Sequence, residues 1–137
     1  MKKYTFKKEE RLCNKGRIQR LFHNGSSFIV YPLRVVYLRE GAVQSKWPPL
    51  HILISVPKKR FKRAVDRNRI KRLVREAYRL EKWPLHSFLA SQSLHLSLAI
   101  QYVGNEEVPL AVLQEKIRKL TCKIADDLSK IHLEQRD

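Results

Sequence analysis

Apolar positions along this chain recur with different spacings, and each spacing predicts an element. Ile18, Leu21 and Phe22 stand at i, i+3 and i+4, which gives a two-turn helix one apolar edge. Asn14 suits its start, because the side-chain oxygen can accept from the free amides of the first turn, and Asn24-Gly25 supplies the stop. The charged residues 1–13 before it are predicted to be extended. Over residues 27–40 β-branched and aromatic side chains dominate, with Pro32 dividing a short first strand from a longer one over 33–39. Residues 41–49, containing Gly, Ser and a Pro-Pro pair, read as a surface connection. LHILISV at 50–56 is a nearly continuous apolar run, the pattern of a strand covered on both faces.

Pro57 and a basic cluster over 58–63 lead into a second helix, which ends near Lys82 because Pro84 disfavours helical geometry just before it. Residues 85–93 read as a loop or irregular helix. Residues 94–102 alternate strictly: Leu94, Leu96, Leu98, Ile100 and Tyr102 share one face, and His95, Ser97, Ala99 and Gln101 the other. That is a strand with one face on the core. After Gly104-Asn105, Pro109 suits a first helical turn, and Glu106 and Glu107 suit the positive end of its dipole. Leu110, Leu113, Ile117, Leu120, Ile124, Leu128 and Ile131 then fall within an arc of roughly 100° on one long amphipathic helix. The order is α-β-β-β-α-β-α, an α+β two-layer sandwich with helices covering a small sheet.

The helix after the basic cluster carries its chemistry by angle. With Ile70 at zero on a helical wheel, Leu73, Val74, Ala77, Tyr78 and Leu80 lie within about 80° of it and form a core face. Arg67, Lys71 and Arg75, at i, i+4 and i+8, make a ridge on the Val74 and Tyr78 side. Asn68, Arg72 and Arg79 point further out, and Arg69 lies on the opposite flank. Like charges at this spacing destabilise an isolated helix by a few tenths of a kcal/mol per pair, so their arrangement points to an anion. The plainer alternative is a solvated face with an Arg72 to Glu76 ion pair.

Composition sharpens the anion. The 137 residues hold 29 Lys+Arg against 13 Asp+Glu, a formal charge of +16. Residues 57–79 alone hold eleven Lys or Arg against Asp66 and Glu76, which is +9 of that total. Such a density is tolerated where a polyanion neutralises it, and nucleic acid leads over an anionic membrane surface. No run of about 18 apolar residues could span a bilayer, no lipidation motif stands at either end, and the N-terminus lacks the apolar stretch of a signal peptide. Cytoplasmic residence is the expectation. Cys13 and Cys122 are far apart and without metal-site spacing, so free, buried or half-buried thiols in a reducing cytoplasm are expected. His23, His51, His86, His95 and His132 are scattered singly and are not read as ligands or catalysts. One domain over residues 1–137 fits the length.

The strings S-V-P-K-K at 55–59 and R-A-V-x-R-N-R-I-K-R-L-x-R-E-A-Y at 63–78 resemble the signature of the bacterial ribonuclease P protein component. F-K-K-E-E-R-L at 6–12 and L-F-x-x-G-S-S at 21–27 extend the resemblance over most of the chain. It implies a sandwich like domain 2 of ribosomal protein S5, with a left-handed βαβ crossover that periodicity cannot show. It also implies a subunit that binds a catalytic RNA and the 5′ leader of precursor tRNA, assisting endonucleolytic removal of the leader and broadening substrate range. The RNA, with Mg²⁺ that it mainly binds, would perform the hydrolysis, and the protein would supply no catalytic residue. Carried onto this sequence, the RNA-facing set is Lys58, Lys59, Arg63, Arg67, Asn68, Arg69, Lys71, Arg72 and Arg75. The leader cleft takes Phe22, then Ile18 where the family has an aromatic, and Tyr37, or Val36 if the register shifts by one. The implied partners are the catalytic RNA and precursor tRNA, with no membrane, no small-molecule substrate and no required protein oligomer.

Two other classes remain beside this reading. A noncatalytic ribosomal or assembly protein with an S5-like fold would bind structured RNA without stimulating precursor cleavage. A metal-dependent protein nuclease would need carboxylates at the basic face, whereas Glu9-Glu10, Glu106-Glu107 and Asp126-Asp127 lie outside the basic segment.

Overall fold

The computed structural model describes residues 10–40 and 48–136, with side chains through Lys130. The predictions for residues 1–9 and 41–47 and for the Ile131 side chain lie outside the described residues. The elements run α1 (Lys15–Asn24), β1 (Ser26–Val30), β2 (Leu33–Glu40), β3 (Leu50–Ser55), α2 (Ala64–Glu81), α3 (Trp83–Ser91), β4 (His95–Tyr102) and α4 (Leu110–Arg136). Asn14 does cap α1, its side-chain oxygen accepting from the Arg17 amide at 3.0 Å. The helix ends where Gly25 turns to extended geometry, a position with no room for a side chain, since a Cβ there would lie 2.4 Å from the Leu21 carbonyl and 2.9 Å from that of Tyr37.

The strands form one sheet in the order β1-β2-β4-β3. β1 and β2 form an antiparallel pair across the Tyr31-Pro32 turn, β2 and β4 are antiparallel, and β3 and β4 are parallel. The parallel pair requires a crossover, which α2 and α3 supply. One sheet face presents Leu33, Val35 and Tyr37 from β2, Leu50 and Ile52 from β3, and Leu96, Leu98, Ile100 and Tyr102 from β4. Against it pack Ile70, Val74, Ala77 and Tyr78 of α2, Leu85 and Leu89 of α3, and Leu113, Ile117, Leu120, Ile124 and Leu128 of α4. Each such Leu, Ile or Val side chain removed from water stabilises the fold by roughly 1.5–3 kcal/mol.

Three features depart from what the chain predicts, the simplest being that Cys13 and Cys122, free as expected, lie exposed and not buried. Residues 83–91 are a regular helix, with Pro84 in its first turn, so the proline separates two helices instead of ending helical structure. The polar side of β4 is also covered. Ser97 and Ala99 are buried because α1 lies over that face, where Leu21, Leu12, Val36 and Ala99 form a second apolar cluster. Among the described residues no helix is long and apolar enough to cross a membrane.

Candidate nucleic-acid interface

α2 is fixed by its inner face and by both ends. Ile70, Val74, Ala77 and Tyr78 are buried, as the wheel predicts, with Leu73 half-buried beside them. At the C-terminal end Lys82 makes a buried ion pair with Glu10. The adjoining Arg11 bridges to Ile52, and the Leu12 amide donates to the Ile52 carbonyl at 2.8 Å. Residues 10–12 therefore line the β3 edge of the sheet. Tyr78 and Lys82 continue the flank occupied by Arg67, Lys71 and Arg75, so the ridge runs along that same edge.

The predicted set divides by what each member touches. Arg67 turns back, its guanidinium donating to the carbonyls of Phe61 at 2.9 Å and Lys62 at 2.8 Å, and so clasps the basic connection to the helix. Arg63 and Arg69 both pair with Asp66, at 2.9 Å and 3.2 Å, and Arg69 reaches Glu107 at 2.9 Å. The Arg63 hydrogen bonds hold the Asp66 carboxyl below the usual carboxylate range. Glu76 pairs with Arg79, which likewise lowers its carboxyl, and not with Arg72. Among the described residues, Lys58, Lys59, Lys71, Arg72 and Arg75 make no ion pair or side-chain hydrogen bond, and Asn68 is exposed on the same surface. Each of the nearby carboxylates Asp66, Glu76 and Glu107 is instead engaged by arginine, which does not suit them to ligate a metal.

On the α1 side of the sheet the predicted cleft residues separate. Phe22 is 40% exposed, and Ile18 is half-buried against the Leu21 cluster. Tyr37 is a correction: strand alternation turns it to the opposite face, where its hydroxyl donates to Asp127 at 3.0 Å and its ring meets Phe28 edge-on. Burial, then Asp127, pushes its hydroxyl up to about 12. Val36 occupies the α1 side, but at 2% exposure it lies beneath α1 and offers no surface. The uncovered part of this face is the row Ser55, Gln101, Arg34 and Ile29, in register across the four strands, with Arg34 donating to Gln101 at 2.7 Å.

Beneath α1 lies a charged cluster that sequence reading missed. Glu40 accepts from Arg20 and from Ser97, Arg17 lies 3.5 Å away, and Arg17 also reaches the His51 ring at 3.2 Å and the Ser97 hydroxyl at 3.0 Å. Burial alone would raise the Glu40 carboxyl, but Ser97, Arg20 and Arg17 outweigh it and hold it low. Burial and then Arg17 hold the His51 ring below its ordinary value. The only sequence signal was the Arg17 and Arg20 pair at i, i+3 on a short helix.

Residues 6–124 match the sequence model of the Ribonuclease P family. Ribonuclease P protein components of two Porphyromonas gingivalis strains are 38% and 40% identical over 125 residues, covering 91% of this chain and 90% of theirs. That of Chlorobium phaeobacteroides is 33% identical and covers 85% of each chain. In fold, the RNase P protein of Staphylococcus aureus superposes with a TM-score of 0.61 at 23% identity, over 85% of this chain and 94% of that one. The Thermotoga maritima RNase P protein gives 0.61 at 22%, over 82% and 94%. With most of its length matched in sequence and its sheet and helices matched in space, this chain belongs to the Ribonuclease P protein family.

Proposed function

We propose that the chain is the protein subunit of a cytoplasmic ribonucleoprotein RNase P, binding the catalytic RNA and the 5′ leader of precursor tRNA. The RNA subunit and the Mg²⁺ it holds perform the hydrolysis, and the protein raises substrate affinity and range by neutralising phosphates and holding single-stranded RNA. One observation carries this reading: a helix locked on its inner face presents Lys71, Arg72 and Arg75, without acidic partners among the described residues, beside a sheet face edged by exposed Phe22. A rigid cationic ridge binds a polyanion with little ordering cost, and an exposed ring accepts a base of any identity for about 1–3 kcal/mol.

In this reading Lys58, Lys59, Asn68, Lys71, Arg72 and Arg75 contact RNA directly. Arg67 and Arg63 position the connection and the first turn of α2, and Arg69 keeps one donor face for RNA beside its carboxylate partners. The decisive experiment is precursor-tRNA cleavage at low Mg²⁺ by a bacterial RNase P RNA with and without the chain. Cleavage should require the RNA and be stimulated by the protein. Binding of structured RNA with no stimulation would instead support a noncatalytic RNA-binding role, and cleavage by the protein alone would support a protein nuclease.

A further inference from the structure

The corner where the β1–β2 turn meets the loops after β3 and β4 carries an aromatic that neither the core nor the ridge uses. Tyr31 is 63% exposed, as is its strand neighbour Ile29. A single exposed tyrosine is ordinary on a protein surface. This one differs in how firmly it is held and in what surrounds it. The Val103 amide donates to the Pro32 carbonyl at 2.8 Å. Gly104 seats so closely that a Cβ there would fall 2.8 Å from Pro32 and 3.5 Å from the Tyr31 hydroxyl. Phe61 of the basic connection packs edge-on against Tyr102, ring centres 5.8 Å apart, and Arg60 donates to Asn105 at 2.8 Å. The turn at 31–32, the loop at 103–105 and the connection at 58–62 are thus tied into one corner, on which Lys58, Lys59, Arg60 and Lys62 are exposed.

Such a corner combines what a single-stranded nucleic acid needs: cations along a phosphate path and an open ring whose backbone is already ordered. We propose that Tyr31 is a stacking site for one nucleobase of the single-stranded RNA whose phosphates follow the 58–62 connection. This contact is separate from the one at Phe22 and rests on the leader-binding reading above. The ring selects a flat base without choosing among the four, and its place at the end of the connection extends the bound strand beyond the ridge.

The test uses holoenzyme reconstituted from the full chain and a bacterial RNase P RNA, with wild type, Tyr31→Ala and Tyr31→Phe. Each is titrated with mature tRNA, with intact precursor tRNA and with precursors bearing a single abasic nucleotide at successive leader positions. Tyr31→Ala should weaken binding of the intact precursor by about tenfold, and Tyr31→Phe, which keeps the ring, by less than about twofold. Mature tRNA binding should not change. At one leader position the abasic change should weaken wild type as Tyr31→Ala does and add nothing in that variant. Unchanged precursor affinity in Tyr31→Ala, equal losses for mature tRNA, or additivity at every position would overturn the stacking site. A Lys71→Ala/Arg75→Ala chain run alongside separates the two readings. If it loses precursor binding selectively while Tyr31→Ala does not, only the stacking site fails; if neither does, leader binding itself fails.

Discussion

Glu40 shows how a single buried carboxylate organises the molecule's less obvious face. It collects Arg17, Arg20 and Ser97, and through Arg17 it orders His51. Glu40→Gln removes the charge while keeping the shape, taking a buried carboxylate away from the guanidinium groups of Arg17 and Arg20. It should lower stability by about 2 kcal/mol in urea unfolding, and an effect below about 0.5 kcal/mol would show the cluster to be incidental. The pH dependence follows from the directions of the shifts. The folded His51 ring resists protonation, so below its ordinary value of 6.5 the unfolded chain binds the extra proton and stability falls with falling pH. Glu40 acts in the same sense lower down: its stabilisation is complete above its ordinary value of 4.5 and is lost as pH drops through the depressed folded value. His86, held low by burial and then by Lys82, adds to the upper window. Chemical denaturation between pH 7 and 5 should therefore show a decline that His51→Gln flattens, and a second decline below 4.5 that Glu40→Gln flattens.

At the scale of elements, α2 and α1 make different demands. In α2 the core and cationic faces are separable: Val74→Ala should cost about 2–4 kcal/mol of stability, whereas Lys71→Ala or Arg75→Ala should leave the unfolding midpoint nearly unchanged. α1 is short, so its cap matters: Asn14→Ala should cost about 1 kcal/mol and loosen the seat of Arg17, readable as faster amide exchange over residues 15–24. What was legible in the sequence follows the same division. The face of α2 could be read because apolar and basic residues alternate with helical period and high contrast. α3 could not, since Trp83, Leu85, Phe88 and Leu89 share a short segment with few polar side chains to mark an outer face, and Pro84 suggested a break. The side of β2 was equally indistinct: Val35, Val36 and Tyr37 are all apolar, so no alternation said which faced α1, and Tyr37 turned out to serve the α4 side. The Glu40 cluster depends on α1 meeting β2, β4 and β3 in space. No local spacing encodes that meeting.

The whole molecule carries +16, of which +9 lies in residues 57–79, and the structure shows how that segment is apportioned. Arg63, Arg69 and Arg79 are matched to carboxylates on or beside α2, and Arg67 is spent on backbone carbonyls. Arg67→Ala would therefore confound lost phosphate contact with a loosened connection, and the clean probe of the ridge is Lys71→Ala/Arg75→Ala. Each phosphate contact to a single strand contributes about 0.7 to the slope of log affinity against log salt. If both cations hold leader phosphates, the double variant should bind precursor tRNA with a slope shallower than wild type by about 1.4, measured between about 50 and 200 mM salt. Mature tRNA, lacking the leader, should show the same slope with either chain. A slope that shallows equally for both RNAs would move these contacts to the catalytic RNA or the tRNA body, while a lowered affinity at unchanged slope would mean that the ridge acts on the shape of its surroundings and not through its charge.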